Sequence, residues 1–222
     1  MMRYNKLKNF YRNFLKRFFD IIVGLFGTLI FLISYIFIAP IILITDGRPV
    51  LFKSKRRGKR DKVFDMYKYR TMYVNSPDIR NADNSTFNGK NDPRVTKIGR
   101  ILRETSLDEI PQFLNVLKGD MSFVGPRPSV PSMPYDQIPE NERKKLEVKS
   151  GITGYTQAYF RNSISREDRF KYDAYYAENV SFMLDLKIVF KTVSRIFSRK
   201  GVYIDEKKAE QTAKNTPPEM KE

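Results

Sequence analysis

The sequence predicts an α+β fold, mostly helical with one short β-hairpin, set behind an apolar N-terminal membrane helix. Three observations carry that prediction. Residues 21–45 form an apolar run without a single charge. Two stretches rich in strand-forming residues, 50–53 and 63–70, flank a turn-like segment at 58–61. Beyond residue 95, apolar residues recur at helical spacing in several separate segments.

The apolar run comes first. At ~1.5 Å per residue it covers ~37 Å, more than the roughly 30 Å hydrocarbon core of a bilayer. It is too long for a cleaved signal peptide, and no A-x-A site follows it. Its flanks are both basic. Arg3, Lys6, Lys8, Arg12, Lys16 and Arg17 precede it, and Arg48, Lys53, Lys55, Arg56, Arg57, Lys59, Arg60 and Lys62 follow, with Asp61 the one acid among these last. The positive-inside rule assigns both flanks to the cytoplasm. A re-entrant helix that dips into one leaflet satisfies it, with its break at Pro40 or at Gly24 and Gly27. An ordinary single span with basic residues on both sides is the other reading.

The remainder reads as mixed α/β. Residues 75–94 are polar and rich in Asn and Asp, a long loop. Residues 98–103 and 110–117 read as helices, the second with Ile110, Phe113, Leu114 and Leu117 on one face. Five prolines stiffen 126–139. Helices are expected at 140–148 and 166–178. A last helix, 184–197, sets Leu186, Val189, Phe190, Val193 and Ile196 on one face beside Lys187, Lys191 and Arg195. Such a basic amphipathic helix either lies on an anionic membrane surface or packs its apolar face inward. The expected organisation is a basic N-terminus and membrane helix at 1–47, one domain at 48–203, and a polar tail at 204–222 with the composition of a disordered segment.

Composition narrows the chemistry. The 222 residues carry 41 Lys and Arg against 25 Asp and Glu, a net charge of +16. Such an excess predicts a polyanionic partner. That partner is nucleic acid, anionic lipid or a phosphorylated substrate, and no recognisable nucleic-acid motif supports the first. There is no Cys and no His, so thiolate nucleophiles, imidazole bases and Cys/His zinc sites are excluded. Carboxylates and other hard oxygen donors suit Mg²⁺.

The segment TSLDEIP at 105–111 places adjacent carboxylates, Asp108 and Glu109, at a predicted helix start. Ser106 and Glu109 fit a capping box, and the capping reading is the stronger one on these residues alone. The neighbours favour chemistry. Arg100 and Arg103 lie just upstream, YKYR at 67–70 brings Lys68 and Arg70, and GPRP at 125–128 holds Arg127 in a rigid frame. Acids among cations, without His, suit phosphoryl transfer with a carboxylate nucleophile.

These blocks resemble the bacterial sugar transferases, the monotopic polyprenyl-phosphate phosphoglycosyl transferases of the small type with a single catalytic domain. The resemblance runs over about residues 16–203. It rests on KRFFD at 16–20, PVLF at 49–52, YKYRTM at 67–72, DPR at 92–94, IGR at 98–100, TSLDEIPQ at 105–112, NVLKGDMSFVGPRP at 115–128, GITG at 151–154, DAYY at 173–176 and LDLK at 184–187. It implies a re-entrant membrane helix and a cytoplasmic catalytic domain at the bacterial inner membrane. It implies that Asp108 attacks the β-phosphate of a UDP-sugar, releases UMP and passes the sugar phosphate to undecaprenyl phosphate. Glu109, with Asp108, would hold Mg²⁺; Arg127 would bind a substrate phosphate, with Arg103 and Lys68 in support. It also leaves room for self-association and for contact with downstream glycosyltransferases.

The chain departs from the family pattern in places. A Ser-Pro pair common in the middle of the membrane helix is Leu32-Ile33, with Ser34 nearby. Ser54 replaces a usual glutamine, Ser150 a proline, and Tyr155-Thr156 a Trp-Ala pair. A catalytically silent membrane-bound scaffold of a glycan-assembly complex is the competing reading, and the intact Asp108, Glu109 and Arg127 argue against it.

Overall fold

A computed structural model describes residues 10–79, 87, 89, 91–160 and 164–198. The expected tail at 204–222, the first nine residues and part of the loop at 75–94 lie outside the described residues.

The uncharged run forms one helix, α1 (Lys16–Thr45), entered through a π-helical turn, Tyr11–Leu15. Tyr11–Thr45 is long and apolar enough to cross a membrane. The expected break is absent as an interruption. Pro40 lies exposed in the interior of α1, where its ring removes the hydrogen bond its own N–H would have given. Gly24 and Gly27 are contact points instead. A Cβ at Gly24 would come within 3.2 Å of the Leu117 backbone, and one at Gly27 within 2.1 Å of the Phe113 ring. Glycine lets the helix lie flush against the domain. The buried stripe of α1 is Asp20, Gly24, Gly27, Phe31, Ile38, Ala39 and Ile42, a helical repeat on one side. The other side exposes Phe18, Leu25, Phe26, Ile36 and Phe37.

Polar anchors fix this docking. Asp20, buried, accepts from Ser122 Oγ at 2.8 Å and from the Phe123 amide at 2.8 Å. Arg17 donates to the Val116 and Leu117 carbonyls. Ser34 Oγ and the Tyr69 hydroxyl share a hydrogen bond of 2.8 Å. Asp185 accepts from Tyr11 and Tyr176, each at 2.6 Å, and pairs with Lys16.

The hairpin is β1 (Leu51–Arg57) and β2 (Val63–Tyr69), antiparallel, in register from Leu51 opposite Tyr69 to Arg57 opposite Val63. β1 runs four residues past its expected end. Helix α2 (Lys97–Glu104) starts where Thr96 Oγ1 accepts from the Gly99 amide. A 3-10 turn, Leu107–Gln112, leads into α3 (Phe113–Lys118), so the single helix expected at 110–117 is two pieces. Asn115 is fully buried; it accepts from the Tyr67 amide and donates to the Asp65 carbonyl, lacing α3 to β2.

After α3, strand β3 (Ser122–Val124) pairs in parallel with β4 (Gly151–Thr153). Between them come the irregular proline segment and α4 (Glu140–Lys145). Then follow α5 (Tyr155–Tyr159), α6 (Arg166–Glu178) and α7 (Phe182–Ser198). α6 has the predicted range because Ser165 caps it, accepting from the Asp168 amide at 3.0 Å. Tyr155 and Thr156, at the family's Trp-Ala position, are buried; Thr156 donates to Asp173 at 2.9 Å.

α7 differs from its predicted packing. The side it buries carries Leu184, Asp185 and Ile188, whereas Phe190 and Val193 of the predicted face are exposed. Apolar residues occupy most of the circumference of this helix, so periodicity alone does not select the core side.

Candidate active site

The chain arrives at the site by a strained turn. Ser106 has φ 59° and ψ 17°, a left-handed conformation that costs a non-glycine residue of order 1 kcal/mol or more. Its side chain makes no cap, so the predicted capping box is absent. Its carbonyl instead accepts from the Glu109 amide at 3.3 Å. A left-handed residue turns the chain too sharply for the hydroxyl to reach back. That turn aims Asp108 and Glu109 at β2.

Lys68 meets both carboxylates. Its Nζ lies 2.6 Å from Glu109 Oε1 and 3.5 Å from Asp108 Oδ2. Burial is the largest influence on the Asp108 carboxyl and, helped by the Glu109 charge, holds its pKa above the ordinary value against Lys68 and Arg103. Burial also opposes ionisation of Glu109. There Lys68, Arg127 and a hydrogen bond from Gln112 outweigh it and hold the carboxyl below the ordinary value. Lys68 sits nearer to Glu109, so the neighbouring acids separate into a more and a less readily ionised member.

Arg127 belongs to the same cleft, which Lys68, Glu109, Gln112, Arg56 and Gln157 also line. Its backbone is fixed while its side chain is exposed: Lys145 Nζ donates to the Arg127 carbonyl at 3.1 Å. The surrounding backbone is packed without room for side chains. A Cβ on Gly125, Gly151 or Gly154 would meet neighbouring backbone at 2.1–2.3 Å. The GPRP and GITG segments thus close on one another around the β3–β4 pair. Arg103 faces the site through charge on Asp108, and its Nε donates to Thr71 Oγ1 at 2.9 Å. Arg70 is buried and donates to the Asp46 and Gly47 carbonyls at the end of α1.

Three lining residues were not singled out from the sequence: Arg56, Gln112 and Gln157. Burial and the nearby Arg127 lower the Arg56 guanidinium to about 10. Its Nε is buried without a hydrogen-bond partner, as is Gln157 Oε1. Extending β1 past Lys53 would have found Arg56, because strand alternation turns it into the hairpin's inner side.

Two adjacent carboxylates bridged by an ammonium form a place that holds positive charge. That donor set fits Mg²⁺, which uses one or two carboxylates and completes its shell with phosphate oxygens and water. No cluster of three or more acidic ligands occurs among the described residues; Asp108 and Glu109 are the carboxylates that would hold such an ion.

The model of the family described as bacterial sugar transferase matches residues 11–199. The chain belongs to that family. It is a phosphoglycosyl transferase. It is 40% identical over 191 residues to the uncharacterized sugar transferase EpsL of Bacillus subtilis, covering 85% of this chain and 90% of that one. It is 37% identical over 212 residues to the undecaprenyl-phosphate galactose phosphotransferase of Salmonella typhimurium, covering 90% of this chain and 44% of that protein. To the UDP-galactose-lipid carrier transferase of Erwinia amylovora it is 36% identical over 216 residues, covering 90% and 44%. The transferase thus spans nearly the whole of a small relative and under half of two larger ones.

Proposed function

We propose that this transferase moves a sugar phosphate from a UDP-sugar to undecaprenyl phosphate through a covalent intermediate on Asp108, as the first membrane step of a glycan or exopolysaccharide pathway. The observation that carries the reading is the Asp108–Glu109 pair, held at a strained turn with Lys68 against both carboxylates, where Glu109 and Lys68 line a cleft together with Arg127 and Arg56. The names of the Salmonella and Erwinia relatives support the donor and acceptor classes.

An Asp108 carboxylate oxygen attacks the β-phosphorus, and the bond to the α-phosphate oxygen breaks. UMP leaves with that electron pair. An oxygen of undecaprenyl phosphate then attacks the same phosphorus, which frees Asp108 and gives the diphosphate-linked sugar. Lys68 works against burial and the Glu109 charge to favour the ionised, attacking form of Asp108, while Arg127 and Arg56 take the phosphate oxygens. Their positive charge offsets the repulsion between the carboxylate and the diphosphate. Mg²⁺ held by Glu109 and Asp108 would supply further charge neutralisation.

We also infer that α1 enters one leaflet from the cytoplasmic side of the bacterial inner membrane. Two observations support this. Both flanks are basic, and the domain is docked along α1 from Arg17 to Ile42, ~37 Å of helix. A helix crossing a ~30 Å core could not keep a polar domain beside it over that length. The exposed Phe182, Met183, Phe190 and Val193 of α7 suit the same surface.

The test is UMP release by purified protein with Mg²⁺, undecaprenyl phosphate and a panel of UDP-sugars. Wild type is expected to release UMP with at least one sugar, and intact-mass measurement should find the added sugar phosphate on Asp108. Asp108→Asn should abolish both. Turnover by Asp108→Asn at the wild-type rate would remove Asp108 as nucleophile. No release from any sugar would favour the scaffold reading. For topology, cysteines at positions 5 and 60 should be labelled from one side; labelling from opposite sides means a true span.

A further inference from the structure

A second cleft, of ≈270 Å³, lies outside the acidic site. It is bounded by the hairpin turn, the Gly119–Asp120 turn and Lys149. Four cations line it, Lys59, Arg60, Lys62 and Lys149, against one acid, Asp120. Two more cations stand close. A Cβ on Gly119 would lie 3.2 Å from Arg17 Nη2 and 3.5 Å from Lys149 Nζ. Arg12 adds its charge at Lys59.

The acids nearby already have partners. Asp120 pairs with Lys118 at 3.5 Å and accepts from Asn115. Asp61 pairs with Arg57, and Glu147 with Arg12 at 3.7 Å. Among the described residues, Lys59, Arg60, Lys62 and Lys149 form no salt bridge. Burial, then the neighbouring cations Arg12 and Arg60, lowers the Lys59 pKa; burial, then Arg17, lowers that of Lys149. Cations gathered this closely repel one another until an anion joins them.

The cleft is rigidly placed. The Arg60 amide donates to the Leu146 carbonyl at 2.8 Å, tying the turn to the end of α4. Lys62, Phe64, Met66 and Lys68 alternate along one side of β2. Phe64 lines the cationic cleft and Lys68 the acidic one. Four residues of strand separate them by ~13 Å. Arg12 and Arg17 stand at the start of the apolar helix, directly before the exposed Phe18 and Phe19. With α1 inserted as inferred above, a basic cleft at that level would meet the phosphate layer of a bilayer.

We infer that this cleft is a second anion site that binds a single phosphate group, carried by an anionic phospholipid headgroup or free in solution. It does not depend on the reaction assigned to Asp108.

The test uses the full chain in neutral phosphatidylcholine nanodiscs. Two probes are titrated, short-chain phosphatidylglycerol and inorganic phosphate, and thermal stabilisation gives the apparent affinity. The variant is Lys59→Gln/Lys62→Gln/Lys149→Gln. The control, Lys53→Gln/Lys97→Gln/Lys171→Gln, removes the same charge elsewhere. The site predicts that the variant binds at least one probe about tenfold more weakly or worse, as loss of two or more cations near a phosphate implies, while the control shifts less than about twofold. Weakening for phosphatidylglycerol alone assigns the lipid headgroup; weakening for both assigns any phosphate. If the variant and control bind both probes alike, or if wild type binds neither, the inference is wrong. Binding that persists in the variant belongs to the acidic site, whose residues all three proteins keep.

Discussion

Replacing Lys145 with Met should destabilise the domain by an amount the structure bounds. Lys145 Nζ is buried 3.7 Å from Asp173 Oδ2 and 3.1 Å from the Arg127 carbonyl. Asp173 is fully buried; it also accepts a hydrogen bond from Thr156 and feels the charges of Arg169 and Arg127. Burial is the largest influence on each: it lowers the Lys145 pKa and raises that of Asp173. Removing one member of a buried pair costs ~3–5 kcal/mol. Protonation sets a ceiling. Neutralising a carboxyl of ordinary pKa 3.8 at pH 7 costs about 4 kcal/mol, since each unit is worth ~1.4 kcal/mol. The expected loss is therefore about 3–4 kcal/mol, or a Tm lower by roughly 6–16 °C for a domain of this size.

The sign of the pH dependence follows. Without Lys145, the folded-state pKa of Asp173 rises further above its unfolded value, so the folded variant binds the extra proton. The penalty is full above that raised pKa and is lost as pH falls through it towards 3.8. The gap in Tm between variant and wild type should narrow from pH 7 to pH 5. Circular-dichroism melts in detergent measure it, with Lys145→Met/Asp173→Asn as the partner that restores most of the loss. A Tm within about 2 °C of wild type would show that the pair contributes no charge compensation. A double variant as unstable as the single one would show the loss to be packing.

Gly27→Ala places a methyl group inside the Phe113 ring position and should cost ~1–3 kcal/mol; Phe113→Leu in the same chain should recover part of it, read as Tm. Arg56→Gln is expected to raise the KM for the UDP-sugar roughly tenfold or more, the worth of a charge-assisted hydrogen bond of ~1.5–3 kcal/mol, in steady-state UMP release; an unchanged KM would remove Arg56 from phosphate binding. Tyr176→Phe deletes a 2.6 Å hydrogen bond to Asp185 and should lower stability by ~1.5–3 kcal/mol, checked by denaturant titration.

The elements that were legible in the sequence have local causes. The range of α6 follows from its Ser165 cap, and the hairpin follows from two strand-like runs around a turn. Lys68, Asp108 and Glu109, singled out from short motifs, meet in the structure, and Arg127 lines the same cleft as Lys68 and Glu109. The features missed depend on distant partners. The β3–β4 pair has three residues per strand and joins segments some thirty residues apart, held by glycines whose value lies in what they touch. Pro40 was read as a break because proline removes a donor, but one lost hydrogen bond does not end a thirty-residue helix. Ser106 matched a capping box by spacing, yet the turn needed at that point is left-handed. For α7, the core side was decided by Asp185, which must reach Tyr11, Lys16 and Tyr176.

That junction at Asp185 also orders biosynthesis. The Tyr11 and Asp185 partners stand 174 residues apart. At ~5–20 residues per second, the ribosome makes the second roughly 10–35 s after the first. During that interval α1 has emerged with Lys16 and Asp20 unmatched by their later partners. The helix must therefore wait with its polar positions turned to water. The remaining elements then assemble on a helix already made, and α7 fastens α1.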